Sequence, residues 1–326
     1  MKVSLQDLKQ TTLAVLARSG YPLDEAQTIL DVLMYAQLRG NNQGVVKLIG
    51  AGMPRHKEVQ PIKTVKETKL SALLDGGRNS GMVLMKYAVG LALDKAREHG
   101  FGIVGTHNTK SSTGAIGYYA NHIAQEGFIG FVFSGSGEYV AMHGAYQPLF
   151  GTNPMAIGVP TGGIPIVFDM ATSAVALFGL VEAKTAGRSI PPDVAYDANG
   201  QPTTDPSAAL AGAIRTFGGY KGAALSMIFE ILTHELVETR HLIDGHKDDW
   251  GNLVFVIDPE LLTDSDSFKE RVAALIERVK ASKKLPGVEE ILIPGERGNR
   301  ILDDIIRTDL VEIEENLWTQ LQKAAS

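Results

Sequence analysis

The sequence FGTNPMAIGVPTGGIPIVFDMATS, residues 150–173, decides the fold that we predict for this chain. It contains a turn-rich start and two apolar runs separated by a Gly-Gly turn. The second run, 164–168, is rich in β-branched and aromatic residues, which predicts a buried strand with Asp169 at its end. Thr172 and Ser173 then predict the cap of a following helix.

A strand end that leads into a helix start is a suitable place for a charged ligand. The free N–H groups of the helix start would lie beside the Asp169 side chain, an arrangement that suits phosphates or hydroxyls. The same pattern is also typical of ordinary connections between strands and helices. This stretch alone therefore leaves both interpretations open.

The composition is typical of a soluble globular protein and excludes several functional classes. The chain has 326 residues, of which 44% are hydrophobic and 21% charged, enough for one large or two medium domains. A net charge of −6 provides no basic surface for nucleic acid. The absence of cysteine excludes disulfides, thiolate metal sites and a cysteine nucleophile. Because the chain shows neither a signal peptide nor an apolar run of about 18 residues, we predict no membrane contact and a cytoplasmic location.

Capping residues and apolar spacing predict helices first, then strands that alternate with helices. The predicted helices are Ser4 to Arg18, Asp24 to Gly40, Ser80 to His99 with Gly100 as its end, 115–125, a buried helix at 221–237, 264–283 and 310–323. The predicted strands are 102–106, 129–134, 155–159, 164–169, 253–257 and 290–293, and a polar surface loop covers 193–209. This alternation predicts an α/β layer structure.

Two segments match known motifs in their letters but not in their context. In GFGIVG, 100–105, a helix ends before the glycines and a strand follows, whereas a dinucleotide fingerprint needs the reverse order. The segment HELVE, 234–238, begins like a zinc-protease helix but has glutamate where the second histidine belongs. His241 and His246 lie farther along, and we interpret the segment as an exposed, charged helix end without an assigned metal ligand.

Two other segments contain groups suited to catalysis or phosphate binding. His143 lies in a loop just before 150–173, and its pKa range suits an acid, although a lone loop histidine is more often structural. In PGERGNR, 294–300, a predicted strand leads into a loop with two arginines and two glycines, which together allow close approach to a phosphate. A solvated basic turn has the same composition, so the motif alone does not decide.

Six blocks occur in order along nearly the whole chain. They are LRGNNQGVVKL at 38–48, STGAIGYYA at 112–120, FGTNPMAIGVPT at 150–161, FDMATS at 168–173, GGYKGAALSM at 218–227 and PGER at 294–297. Together they resemble the malate/L-lactate dehydrogenase family of NAD(P)-dependent oxidoreductases, whose fold is α/β but not Rossmann. The resemblance implies a helical domain built from both chain ends, a central mixed α/β cofactor-binding domain and a homodimer. Its members include sulfolactate and ureidoglycolate dehydrogenases and piperideine/pyrroline-2-carboxylate reductase.

The resemblance also implies domain boundaries and site residues. The boundaries are a helical N-terminal part at 1–70, the central domain at 71–250 and a C-terminal part at 251–326 that completes the helical domain. Thr152 would contact the substrate, and Lys47, where the family usually has arginine, would bind the substrate carboxylate without a bidentate fork. The residues that would hold NADP or NAD are Ser112, Thr113, Gly114, Ala115, Ile116, Asp169, Met170, Ala171, Lys221, Pro294, Gly295, Glu296, Arg297 and Arg300.

The chain departs from the family pattern at the residues that transfer the proton. Where that pattern reads Ser-His-Gly, this chain has Asn42, Gln43 and Gly44, and the aspartate that supports the histidine aligns with Leu180. A second family histidine is replaced by Ser112. Gln43 donates hydrogen bonds but cannot exchange a proton near neutral pH. Loss of both relay groups is physically coherent, because a buried carboxylate without its imidazole would be unpaired.

Three functions remain open from the sequence. In the first, the chain reduces a small 2-imino or 2-oxo acid with NAD(P)H, and Gln43 and Asn42 hydrogen-bond the substrate; cyclic imino acids are favoured because an iminium carbon needs no acid. In the second, a malate- or lactate-type 2-hydroxy acid dehydrogenase uses His143 as a relocated acid. In the third, the chain binds a dinucleotide without catalysis.

Overall fold

The computed structural model describes residues 1–240 and 249–326, which form ten α-helices and thirteen strands. None of these helices combines the length and apolar character needed to cross a bilayer. The helices are α1 Leu5–Arg18, α2 Leu23–Gln37, α3 Gly81–His99, α4 Gly117–Gln125, α5 Leu177–Thr185, α6 Pro206–Ala211, α7 Tyr220–Glu230, α8 Ser265–Lys280, α9 Glu296–Thr308 and α10 Glu315–Ala325. The strands are β1 Lys2–Ser4, β2 Lys63–Glu67, β3 Ser71–Asp75, β4 Phe101–His107, β5 Ile129–Ser134, β6 Val140–Ala141, β7 Pro148–Phe150, β8 Met155–Val159, β9 Ile166–Met170, β10 Ala195–Tyr196, β11 Ala213–Ile214, β12 Asn252–Ile257 and β13 Leu310–Glu312.

A seven-stranded mixed sheet in the order β2-β3-β4-β12-β5-β8-β9 forms the centre of the fold. Within it, β3 and β4 run parallel and the other neighbouring pairs run antiparallel. A Cβ on Gly102 of β4 would lie 2.1 Å from the Ala92 carbonyl oxygen of α3. A Cβ on Gly158 of β8 would lie 2.0 Å from the Ala120 carbonyl oxygen of α4. These glycines therefore allow both helices to lie directly on the sheet.

The two ends of the chain pack together and share a core with the sheet. β1 pairs antiparallel with β13, so that Val3 lies opposite Val311, and α1 contacts α10. Leu8 of α1 and Leu321 of α10 have no exposed surface and belong to the same apolar cluster as Val104 of β4. Burial of one such side chain stabilises the fold by about 1.5–3 kcal/mol.

A smaller four-stranded sheet, in the order β10-β11-β6-β7, lies with α5 and α6 around a second apolar cluster. Val140, Leu180 and Ile214 are at the centre of this cluster and are at most 1% exposed. Leu180 therefore occupies an apolar environment, in which an unpaired carboxylate would be strongly unfavourable.

The structure confirms the predicted α/β fold class and many of the predicted elements. Ser4 caps α1, because its hydroxyl accepts the Asp7 N–H at 3.0 Å. Gly100 ends α3 in the left-handed conformation, with a φ of 80°. β5 and β8 have the predicted bounds. Because β4 follows Gly100 directly, the glycines at 100–105 do not open a helix, as a dinucleotide fingerprint requires.

The predicted helix cap at Thr172 and Ser173 is wrong. The helix α5 begins only at Leu177. The Thr172 hydroxyl donates instead to the Thr152 carbonyl at 3.1 Å, and its backbone N–H donates to the same oxygen at 3.0 Å. A contact with a distant loop therefore replaces the local cap.

Two predictions near the C-terminus are also wrong. Residues 290–293 form no strand, and because α9 begins at Glu296, most of 294–300 is helical rather than a loop. The predicted helix 310–323 is divided into β13 and α10. β13 is extended because it pairs with β1, a contact between the two chain ends that local patterns do not show.

The segment 221–237 differs from the prediction in both burial and geometry. The helix α7 continues into a π-helical turn, Ile231–Glu235. Ile228, predicted to be buried, is 52% exposed in the single chain. His234, predicted to lie on an exposed helix end, is 1% exposed, and its Nδ1 lies 3.2 Å from the Glu230 carboxylate. His241 and His246 lie outside the described residues.

Candidate active site

A cavity of about 400 Å³ gathers four of the sequence blocks, which are far apart in the chain. Its walls include the 3₁₀ turn Val45–Leu48, the segment before α4 and the end of β9. A cavity of this size holds a small organic ligand or part of a cofactor. The predicted site residues that line it are Asn42, Gln43, Lys47, Ser112, Thr113, Gly114, Ala115, Ile116, Thr152, Asp169, Met170 and Ala171.

Lys47 is a buried lysine that lines this cavity. It is 2% exposed, its Nζ donates to the Ser112 hydroxyl at 2.9 Å, and the same nitrogen lies 3.6 Å from the centre of the Phe178 ring. Within the described ranges, no aspartate or glutamate forms an ion pair with it. Burial lowers the pKa of Lys47 well below its usual range. An anionic ligand would therefore supply the charge partner that the chain does not provide.

Asp169 lies at the end of β9 against the start of α4. Its Oδ2 accepts the Gly117 N–H at 2.9 Å. The side chain is open to the cavity, but protein atoms crowd around it and remove part of its hydration. This loss of hydration raises the pKa of Asp169 to about 6, and the Gly117 hydrogen bond opposes the rise. Above that pH the group is mostly ionised and can accept hydrogen bonds from hydroxyl groups of a ligand.

Two amides occupy the cavity wall where the family pattern has serine and histidine. Gln43 Nε2 donates to Asn42 Oδ1 at 3.3 Å, and the Gln43 backbone N–H donates to Asn41 Oδ1 at 2.9 Å. Among the residues that the structure describes, no histidine lines this cavity. Such amides can hydrogen-bond a ligand but do not exchange protons with it near neutral pH.

A second cavity, of about 500 Å³, adjoins the first. Both are lined by Asn41, Asn42 and Asp169, so the two cavities adjoin at these side chains, and we refer to them together as the cleft. The predicted cofactor residues Pro294, Gly295 and Arg297 line the second cavity. The start of α9 is thereby placed beside the end of β9, as the sequence blocks FDMATS and PGER suggest.

His143 and Lys221 lie outside this cleft in the single chain. Both side chains are exposed. A Cβ on Gly219 would lie 3.7 Å from His143 Cε1, which places the histidine beside the start of α7. The catalytic role of His143 and the cofactor role of Lys221 stay predictions.

Arg300 and Glu296 also lie apart from the cleft. The Arg300 guanidinium donates to the Glu290 carboxylate at 2.7 Å, so its charge is already compensated. Glu296 pairs with Lys280 at 2.5 Å. Their predicted cofactor roles remain predictions as well.

Three residues that contribute to the cleft were missed in the sequence. Phe178 contacts Lys47, and nothing in its sequence context indicates this. Ser136 accepts the Thr152 N–H at 3.1 Å and so positions the substrate-binding candidate. Arg39 lines the second cavity. It lies in the block LRGNNQGVVKL, and its place in that block could have indicated a role at the site.

Comparison with known proteins agrees with this geometry. Residues 3–322 match the model of the malate/L-lactate dehydrogenase family. The chain is 36% identical to L-sulfolactate dehydrogenase of Methanothermobacter thermautotrophicus, over 98% of this chain and 95% of that protein. It is 35% identical to Δ1-pyrroline-2-carboxylate reductase 1 of Burkholderia ambifaria, over 72% of this chain and 71% of that protein. The structure of malate dehydrogenase from Entamoeba histolytica superposes with a TM-score of 0.91 at 25% identity, covering 100% of this chain and 97% of that one.

The fold, the cleft and these matches define an NAD(P)-dependent oxidoreductase. More specifically, the chain belongs to the malate/L-lactate dehydrogenase family.

The chemistry of the cleft fits a nicotinamide dinucleotide. Asp169 presents a carboxylate to the cavity, which suits ribose hydroxyls. Arg297 forms no ion pair within the described ranges, so its guanidinium is available to a phosphate. Gly295, at a φ of 93°, has the left-handed conformation that favours glycine, and a Cβ there would lie 3.3 Å from the Val167 carbonyl oxygen.

Proposed function

We propose that this enzyme reduces C2 of small 2-imino or 2-oxo carboxylic acids with NAD(P)H. The observation that carries the proposal is the buried Lys47 side chain, which lines the cavity without a carboxylate partner among the described residues. A substrate carboxylate supplies that partner and raises the pKa of Lys47 on binding. Thr152, Asn42 and Gln43 hydrogen-bond the rest of the substrate.

The cleft formed by the two cavities would hold the cofactor. NAD(P)H supplies the hydride when it is bound. Asp169 would accept hydrogen bonds from its ribose hydroxyls, Arg297 would bind a phosphate, and the backbone before α4, from Ser112 to Ile116, would contribute N–H groups. The support for these roles is that all of these residues line the two adjoining cavities.

The absence of a histidine in the described part of the cavity favours imino acids over plain 2-oxo acids. An iminium carbon is already positive and yields a neutral amine, so its reduction needs no acid, whereas a ketone develops negative charge on oxygen. A reductase of Δ1-pyrroline-2-carboxylate is among the relatives of this chain. We therefore expect kcat/KM to be higher for cyclic imino acids than for pyruvate or oxaloacetate.

Steady-state kinetics with Δ1-pyrroline-2-carboxylate, pyruvate and oxaloacetate test the substrate class. In addition, Lys47→Gln is expected to raise KM about 100-fold for each accepted acid, because one partner of a buried charge pair is lost. Binding of NADH and NADPH, followed by their fluorescence, should be unchanged in that variant. A clear preference for the plain 2-oxo acids would refute the imino assignment, and an unchanged KM in the variant would refute the role of Lys47.

A 2-hydroxy acid dehydrogenase with His143 as its acid is the second candidate. The identity to L-sulfolactate dehydrogenase favours such a reaction. The exposed position of His143, outside the cleft of the single chain, argues against that acid. We expect His143→Asn to leave kcat and its pH profile unchanged; loss of activity with an altered profile would establish this candidate instead.

We further propose that the enzyme is a homodimer in which α7 contacts the second copy. The apolar row on α7 consists of Leu225 and Ile228 of this helix and Ile231, the first residue of the π-helical turn that continues it. These residues are spaced three positions apart and are 39%, 52% and 42% exposed. An exposed apolar row of this kind indicates an interface.

A further inference from the structure

The Ser112 hydroxyl uses both of its lone pairs inside the protein. A serine hydroxyl has two acceptor lone pairs and one proton to donate. Its oxygen accepts the Lys47 ammonium at 2.9 Å and the Gly114 N–H at 3.0 Å. In the described part of the chain, no acceptor takes its proton. Because Ser112 lines the cavity, its O–H is available to a ligand there.

Lys47 and Ser112 form a pair of adjacent donors. The ammonium has three N–H groups, of which one is used on Ser112, while the Phe178 ring faces the same nitrogen. A 2-oxo acid presents two adjacent acceptors, namely its carboxylate and the oxygen on C2. The donor pair, 2.9 Å apart, matches this pair of acceptors, with the carboxylate at Lys47 and the C2 oxygen at Ser112.

From this geometry we infer that, in the reduction of a 2-oxo acid, the Ser112 hydroxyl delivers the proton to the oxygen on C2, and that the Lys47 ammonium replaces that proton. The inference rests on the proposed function, because it concerns the same substrate. C2 gains the hydride, with its two electrons, from the reduced cofactor, and the π bond between C2 and its oxygen breaks onto oxygen. That oxygen takes the Ser112 proton, Ser112 takes one from Lys47, and solvent protonates Lys47 after the product leaves.

The neighbouring residues agree with this assignment. The amides of Gln43 and Asn42 exchange no proton, and His143 lies outside the cavity of the single chain. Burial lowers the pKa of Lys47, so its ammonium gives up a proton more readily than an exposed lysine does. The serine therefore has a proton source within hydrogen-bond distance.

Substitution of Ser112 tests the proton step separately from cofactor binding. We expect Ser112→Ala to lower kcat for a 2-oxo acid by about 100-fold or more, as loss of a general acid does, and for a protonated cyclic imine by less than about tenfold. Ser112→Thr should restore most of the loss. The matched control is Ser134→Ala, because the Ser134 hydroxyl already donates within the protein, to the Gly135 carbonyl at 3.0 Å; its kcat should stay unchanged.

A second readout follows the ground state without turnover. Oxamate carries a carboxylate beside an amide carbonyl, whose carbon does not accept hydride, and we expect Ser112→Ala to weaken its calorimetric Kd about tenfold, as the loss of one hydrogen bond to a charged ligand does. NADH and NADPH affinities should stay within about twofold. If those affinities fall while kcat is retained, Ser112 serves the cofactor and the inference is overturned.

Lys47→Arg distinguishes a proton source from a simple carboxylate binder. Arginine keeps the charge and adds a bidentate fork, but it does not release a proton. For 2-oxo acids we expect Lys47→Arg to leave KM unchanged or lower and to reduce kcat about 100-fold. In the unaltered enzyme, kcat should fall as pH rises through the Lys47 pKa. This fall should be absent in Lys47→Arg. Full activity in Lys47→Arg would overturn the inference alone, whereas failure of the unaltered enzyme to reduce any of these acids would overturn the proposed function as well.

Discussion

Lys47 and Asp169 line the same cavity with pKa shifts of opposite sign and the same cause. Loss of hydration disfavours the charged form of each group, so it lowers the pKa of the lysine and raises the pKa of the aspartate. A ligand that supplies a partner for the charge would stabilise the charged form of either group. Substrate and cofactor affinities should therefore depend on pH in opposite directions.

Replacement of Asp169 by asparagine should separate cofactor binding from stability. The amide oxygen of Asp169→Asn still accepts the Gly117 N–H, but the amide accepts ribose hydroxyls more weakly than a carboxylate does. We expect the NAD(P)H Kd to rise about tenfold at pH 8 and the melting temperature to rise slightly. Fluorescence titration and calorimetry measure the two effects.

The pH dependence of both effects follows from the raised pKa. The folded state binds the Asp169 proton more tightly than the unfolded state, so this group stabilises the fold below its unfolded pKa, and that contribution is lost as pH rises through about 6. The thermal gain of Asp169→Asn should accordingly vanish near pH 4, and the unaltered enzyme should lose cofactor affinity below pH 6. As a control, Asp94→Asn changes a carboxylate that is 72% exposed and should show neither effect. A gain in melting temperature that persists at pH 4 would contradict this account.

At the residue scale, the sequence predicted many of the side chains that line the cavity but not how they are connected. Resemblance to the family was enough to select Lys47, Thr152 and Asp169, which line the same cavity. The Lys47 contacts with Ser112 and Phe178 join residues 65 and 131 positions away in the chain. Such contacts depend on the packing of several elements, which no local pattern contains.

At the scale of elements, close approach of α4 to the central sheet holds the site together. The start of α4 contacts Asp169 through Gly117, and its middle lies on β8 at Gly158. A Cβ at Gly158 would push α4 from the sheet, and a Cβ at Gly117 would lie 2.7 Å from Asp169 Oδ2. The geometry of the cleft therefore depends on glycines that have no functional side chain.

Gly158→Ala should destabilise the fold without a change in chemistry at the site. The added Cβ would lie 2.0 Å from the Ala120 carbonyl oxygen, a backbone atom that cannot rotate away. We expect the free energy of unfolding to fall by about 3 kcal/mol, measured as a lower urea midpoint with an unchanged m-value. Gly162→Ala is the matched control, because a Cβ there has no neighbour within 4 Å. Equal midpoints for the two variants would contradict the packing argument.

Elements were predicted correctly where the signal is local. The Ser4 cap and the Gly100 stop act through their own neighbours, so their patterns specify α1 and α3 directly. Prediction failed where a distant partner decides the conformation. Thr172 bonds to the loop at Thr152 instead of capping α5, and β13 becomes a strand because β1 lies beside it.

At the scale of the whole molecule, the apolar row on α7 connects assembly to the site. The Glu230 carboxylate of α7 accepts Asn153 Nδ2 at 2.6 Å and the Gly151 N–H at 3.2 Å, and so holds the loop that carries Thr152. Composition predicted a buried helix, and the single chain leaves its outer face exposed. A second copy would reconcile the apolar composition with the observed exposure.

Charge introduced into this row should therefore break the dimer and lower activity together. We expect Ile228→Lys to convert a dimer into a monomer in sedimentation experiments, because an ammonium at the centre of an apolar interface is left without a partner. Substrate KM should rise, because α7 without the second copy would hold the Thr152 loop less firmly. Leu262→Lys is the matched control: Leu262 is 92% exposed, away from α7, and its replacement should change neither mass nor KM. If Ile228→Lys stays dimeric, the contact between copies lies on another face, and if the unaltered enzyme is monomeric, α7 has no second copy to cover it.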